Sequence, residues 1–199
     1  MERPAVNIDT AALIVVDMQN GFLNEANWPV VGVVEHLVEH WSAAGGAVIF
    51  TRYHNYPDSP FVRLIKWSKL QASPEVDIVA ELAAHADQAH AMLDKTAYTV
   101  FTAEGTALIK EGGWTNLLFC GVATESCVLK SAVDAFELGY TPWLITDASA
   151  SDASAEAHDA GLLVASRFIG RGQLITAAEV LAGIPERGPA AFVSGRLIQ

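Results

Sequence analysis

The sequence predicts an α/β domain, a parallel sheet with helices on both faces. Short apolar runs bounded by turn residues alternate with longer segments of helical period along most of the chain. The run "ALIVVD" is continuous rather than alternating, as expected of a strand covered on both sides. At 199 residues, 51% hydrophobic and 18% charged, the chain is expected to form a single domain over 1–199 with a full core.

The elements follow in order. Residues 12–17 form the first strand. Val30, Val33, Val34, Leu37, Val38 and Trp41 keep a helical period, and Gly45 closes that helix at its C′ position. "AVIFT" (47–51) is the second strand, followed by an irregular, Pro-containing loop, "RYHNYPDSPF". Ser73 and Pro74 read as N-cap and first residue of a helix carrying Val76, Ile78, Val79, Leu82 and Ala83. "HAMLD" (90–94) and "TNLLFCG" (115–121) are the third and fourth strands. A helix after Thr124 is expected to bury Val128, Ala132, Val133 and Phe136 and to stop at Gly139. "TPWLIT" (141–146) is a fifth strand with Pro142 near its start. Residues 153–168 read as helix, weakened at Gly161. "QLIT" (173–176) is a short sixth strand, and Thr176 with Glu179 forms a capping-box pattern opening a last helix. The tail after Pro185 reads as irregular.

Composition excludes some partners. A net charge of −11 argues against nucleic acid and against an anionic membrane surface. No run reaches the roughly 18 apolar residues of a membrane-crossing helix. The N-terminus lacks the pattern of a signal peptide, so a cytoplasmic location is expected. Two cysteines make no disulfide framework.

In open parallel sheets, ligands sit beyond the carboxyl ends of the strands. The first strand ends at Asp17, the third at Asp94–Lys95, and the fourth leads through Ala123 to Cys127. With Thr124 as N-cap, Cys127 falls in the first helical turn, where the dipole and free backbone N–H groups favour a thiolate. Lys95 would stabilise that anion further, and Asp17 would carry the proton. Free N–H groups of the 122–127 turn would face a developing oxyanion. Read singly, each residue has a plain alternative: a small apolar Cys, a capping Asp, a solvated Lys.

Three segments, "VVDMQNGF" (15–22), "DKTAYTVF" (94–101) and "FCGVATESCV" (119–128), resemble in order and spacing the signatures of the isochorismatase-like cysteine hydrolases. The resemblance runs from about residue 10 to 183. It implies a Rossmann-like three-layer α/β/α fold with a six-stranded parallel sheet in the order 3-2-1-4-5-6. It also implies an Asp17–Lys95–Cys127 triad, and an oxyanion hole from the backbone of Ala123 and Cys127 beside a cis peptide preceding Ala123. Cys127 points to C–N hydrolysis of a small amide, ureide or carbamoyl compound through a thioester, because true isochorismatases lack that cysteine. Nicotinamidases carry an Asp-x-His metal segment with a further His. Here His54 stands alone, so no metal and no cofactor are expected. A homodimer or homotetramer is implied as well. The alternatives are a nicotinamidase-type or isochorismatase-type hydrolase, and a scaffold domain that has lost its substrate.

Gln19, Phe22 and Tyr98 are candidate substrate contacts, although Gln19 and Asn20 serve equally well as turn caps. Trp28, Tyr53, Tyr56 and Trp67 lie on the same presumed rim. Cys120 reads as strand packing, and His158 as a structural hydrogen-bonding residue. No glycine pattern indicates a nucleotide cofactor.

Overall fold

A computed structural model describes residues 6–184; the tail predicted to be irregular lies outside them. Six strands, β1 (Ala11–Val16), β2 (Ala47–Tyr53), β3 (Ala91–Lys95), β4 (Asn116–Val122), β5 (Thr141–Ala150) and β6 (Leu174–Ile175), form one sheet. Their order is β3-β2-β1-β4-β5-β6 and all pairings are parallel. The predicted class and strand order are therefore the observed ones.

Every residue of β1 is buried, because the two faces of the sheet carry separate cores. Leu13 and Val15 pack toward α1 (Val30–Ala43), α2 (Ala80–Asp87) and α6 (Ala177–Ala182), meeting Leu37, Trp41 and Leu82 among others. Ile14 and Val16 face the opposite core, to which α3 (Ala103–Gly112), α4 (Leu129–Glu137) and α5 (Ala155–Ala165) contribute Ile109, Ala132 and Ala165. Each fully buried Leu or Ile side chain contributes about 1.5–3 kcal/mol, so a central strand without polar interruption is the natural anchor. Its neighbours β2 and β4 run outward in opposite directions of the strand order. The crevice of such a reversal opens at the carboxyl ends of β1 and β4.

Several elements differ from expectation. The Ser73–Pro74 peptide is cis and starts no helix; α2 begins only at Ala80. The intervening carbonyls serve the loop after β1 instead: Asn20 N–H donates to Asp77 O and Gly21 N–H to Glu75 O, each at 2.9 Å. Helix α3 was absent from the sequence reading, although Thr102 caps it through Gly105 N–H and Gly113 closes it at φ 68°. Phe136 is half exposed rather than buried, since Ser131, Ala132 and Ala135 form the inner face of α4. Strand β5 continues to Ala150 past a register shift opposite Phe119–Gly121, which carries Ser149 and Ala150 alongside the end of β4. Gly161 is a contact rather than a weakness: a Cβ there would lie 2.9 Å from the Glu125 backbone. The Thr176–Glu179 capping box is present as expected.

Candidate active site

Three strand ends deliver the three expected groups to one place. Asp17 follows β1 with φ 49°, a left-handed backbone uncommon for a residue with a side chain. Across the sheet from the preceding Val16 lies Gly121, φ 108°, where a Cβ would stand 2.1 Å from Val16 O. Only glycine permits that approach of β4 to the end of β1. Asp17 Oδ2 accepts a hydrogen bond from Lys95 Nζ at 2.6 Å, and Lys95 Nζ also donates to Ala97 O at 3.0 Å. Thr51, on β2, completes the carboxylate's surroundings: its hydroxyl donates to Asp17 Oδ1 at 2.6 Å and accepts from Asp17 N–H at 3.1 Å. Asp17, Lys95 and Cys127 are 0%, 3% and 4% exposed.

Cys127 lies on one wide helical turn, Thr124–Val128, that runs directly into α4. The cap is Ala123 rather than Thr124, whose hydroxyl is instead paired with His158 Nδ1 at 2.8 Å. Cys127 is thus the fourth helical residue, one later than expected. Its carbonyl accepts from Ser131 Oγ at 2.7 Å, and Ser131 Oγ accepts from Val100 N–H, tying the turn to the segment after β3. The Val122–Ala123 peptide is cis, as the resemblance implied.

The electrostatics correct one expectation. Burial pushes the Cys127 thiol well above its ordinary value, and the Asp17 carboxylate adds to that shift. Lys95 acts the other way but does not prevail. Burial and Asp17 thus favour the thiol over the thiolate at rest. For Lys95, burial alone would lower the pKa, but Asp17 and Cys127 outweigh it and the ammonium is retained.

A cavity of about 220 Å³ opens above Cys127 and Ser126. Phe22, Tyr53, Trp67 and Tyr98 line it, together with Phe61, Ile65 and Asp152, which the sequence reading did not single out. Phe22 stacks on Trp67 with ring centroids 5.6 Å apart, and Phe61 meets Tyr98 at 4.9 Å. Asn55 holds this loop in shape, donating to Trp67 O and Lys69 O and accepting from Ser59 Oγ.

Gln19, expected as a substrate contact, does not line the cavity. It is fully buried, and its amide is spent on backbone, donating to Tyr53 O and Val76 O and accepting from Tyr53 N–H at 2.7 Å. Asn20 donates to Pro74 O. Trp28 and Tyr56 are exposed and do not line the cavity. Cys120 is fully buried and its thiol is raised by burial. His54 pairs with Asp94 at 3.2 Å, and Arg52 grips the same carboxylate in bidentate fashion. Two donors, one already held by a guanidinium, do not make the three-ligand set of a catalytic zinc. Among the described residues one group of three ligand-type side chains is close enough for a metal, His36, Glu39 and His40, exposed on α1 and outside the cavity.

With this geometry in hand, comparison with known proteins places the chain. The Isochorismatase domain matches residues 11–179, and the chain belongs to that family. It is 28% identical over 164 residues to Nicotinamidase 3 of Arabidopsis thaliana, covering 79% of this chain and 81% of that one. It is 28% identical over 182 residues to the ureidoacrylate amidohydrolase RutB of Azorhizobium caulinodans, covering 74% and 79%. A cysteine hydrolase structure from Pseudomonas syringae pv. phaseolicola superposes with a TM-score of 0.80 at 23% identity, covering 92% of this chain and 95% of that one. That last likeness concerns the fold.

Proposed function

We propose that this protein hydrolyses a C–N bond of a small amide, ureide or carbamoyl compound through a thioester on Cys127. The reading rests on one observation: side chains from three strand ends meet beneath a cavity, with Cys127 on its floor and the Asp17–Lys95 pair, 2.6 Å apart, beside it. The names of two relatives, a nicotinamidase and a ureidoacrylate amidohydrolase, agree with that class.

Because the resting sulfur is protonated, attack and proton transfer occur together. As the sulfur bonds to the substrate carbonyl carbon, its proton passes to Asp17. The carbonyl oxygen becomes an oxyanion, held by the backbone N–H groups of Ala123 and Cys127, each such donor contributing about 3–4 kcal/mol in the transition state. The C–N bond then breaks, and Asp17 returns the proton to the departing ammonia or amine. Water adds to the thioester, Asp17 takes its proton, and the acid leaves as the thiol re-forms. Lys95 keeps its ammonium throughout and balances the charge at Asp17. A homodimer or homotetramer in the cytoplasm belongs to the same reading. Leu64 and Phe168, 75% and 55% exposed, supply apolar surface for contact between copies.

The test is ammonia release from a panel of small amides by wild type, Cys127→Ser and Cys127→Ala. Loss of turnover by at least a thousandfold in both variants is expected, with a mass-detected acyl adduct on wild type. Wild-type-like turnover in Cys127→Ala removes the mechanism.

A further inference from the structure

The reaction above leaves the substrate open, and the charges around the cavity narrow it. Among the described residues, no lysine or arginine lines the space above Cys127. Lys95 is buried, and its hydrogen bonds go to Asp17 Oδ2 and Ala97 O, with the Cys127 sulfur also acting on it. Arg63 donates to Asp58 O and Lys66 to Arg63 O. Lys69 acts on Asp152 only from an exposed loop position. Among the described residues, the one carboxylate lining the cavity is Asp152. Glu125 stands close enough to act on it; its Oε1 accepts from Ser151 Oγ at 2.6 Å while its buried Oε2 has no hydrogen-bond partner. The remaining lining is largely aromatic.

We infer that the cavity selects its substrate by charge: it takes neutral or cationic amides with a flat or branched apolar body, and Asp152 turns away those bearing a carboxylate. The inference rests on the proposed amide hydrolysis. The physical basis is that a substrate carboxylate would give up water without gaining a cation in return, since the N–H groups of Ala123 and Cys127 are taken by the reacting carbonyl oxygen. It would also meet Asp152 at short range in a low dielectric, whereas the Asp17 charge is already balanced by Lys95. An ammonium or an N–H at the same end of the substrate gains a charge-assisted hydrogen bond to Asp152 instead. The aromatic faces of Trp67, Tyr53 and Tyr98 favour a cation as well. Burial raises the Asp152 carboxyl and the Glu125 charge adds to it, while a hydrogen bond from its own backbone and Lys69 oppose them. At 220 Å³ the space is below the roughly 300–1,000 Å³ of sites for drug-sized ligands, so a single ring or short branched chain fills it. Asp152 is a specificity-determining residue in this account, not one that moves the proton.

The test uses three matched amides at pH 8: 4-methyl-, 4-aminomethyl- and 4-carboxy-phenylacetamide. Wild type is expected to release ammonia from the first two with kcat/KM at least about tenfold above the third, the difference lying mainly in KM. Asp152→Asn, which keeps the shape, is expected to narrow that ratio about tenfold, mainly by lowering KM for the carboxy compound. A second readout needs no turnover. Alkylation of Cys127, followed by peptide mass spectrometry, is compared for iodoacetamide and iodoacetate after correction by their rates with free glutathione. Iodoacetamide is expected to be favoured about tenfold, and Asp152→Asn to close the gap.

Equal handling of the carboxylate compounds, or a ratio unmoved by Asp152→Asn, overturns the charge selection while leaving the hydrolysis intact. Cys127 that alkylates with the stated preference in a protein releasing no ammonia supports the selection and overturns the hydrolysis. Absence of both alkylation and turnover overturns both.

Discussion

Lys95 Nζ lies 2.6 Å from Asp17 Oδ2, and neither side chain is open to solvent. Two charges this deep are costly to desolvate and are held only by each other and by Thr51, Ala97 and the sulfur beside them. Removing one partner strands the other. Lys95→Met is expected to lower stability by about 3–5 kcal/mol in urea denaturation and to abolish amide turnover. The double variant Asp17→Leu with Lys95→Met should recover much of the stability and none of the activity. A double variant no more stable than Lys95→Met would show that the pair is not what costs the energy.

Thr51 orients the Asp17 carboxylate without lining the cavity. Thr51→Val keeps the volume and deletes the hydroxyl. A tenfold or greater loss of kcat is expected, worth about 1.4 kcal/mol or more in the barrier, with KM nearly unchanged and with Thr51→Ser restoring most of the rate. A change confined to KM would contradict this role.

Gln19 staples the loop after β1 to Tyr53 and Val76. Gln19→Ala leaves three buried backbone groups without partners, each costing about 1–3 kcal/mol. A loss of at least 3 kcal/mol in urea denaturation is expected. KM for amides should rise too, since Tyr53 forms part of the cavity wall. Unchanged stability would mean that the loop finds other partners.

Stability is expected to fall at alkaline pH. Burial raises the Cys120 and Cys127 thiols above their ordinary 9.0, and the Lys95 ammonium is raised by its partners against burial. In each case the folded protein holds a proton that the unfolded chain releases first. These contributions are complete below pH 9 and fade as pH climbs toward the folded values, by at most about 1.4 kcal/mol per pH unit for each group. Urea midpoints between pH 8 and 11 should decline, and Cys120→Ala should flatten the slope. A slope identical in that variant would remove Cys120 from the account.

The sheet was legible because its strands are buried on both sides, and a continuous apolar run such as residues 12–16 admits few other readings. Asp17, Lys95 and Cys127 were legible because each leaves a strand at its carboxyl end. Thr51 was not: a threonine at the end of an apolar strand looks like ordinary β-branched packing until its carboxylate partner is seen. Asp152 and Phe61 escaped because β5 runs past its polar break at Thr146–Asp147 and because the 54–79 loop closes through backbone bonds to Asn55 and Gln19. Helix α3 was missed although Thr102 and Gly113 are legible caps. Gln19 was misassigned because a glutamine after a strand looks the same whether its amide faces a ligand or the backbone. The sequence pattern also suggested an activated thiolate, and only the depth of Cys127 reversed that.

That depth has a consequence for durability. Peroxide and other oxidants attack the sulfur anion far faster than the protonated form. A side chain 4% exposed, in a setting where burial favours the thiol, is thus shielded from such oxidants.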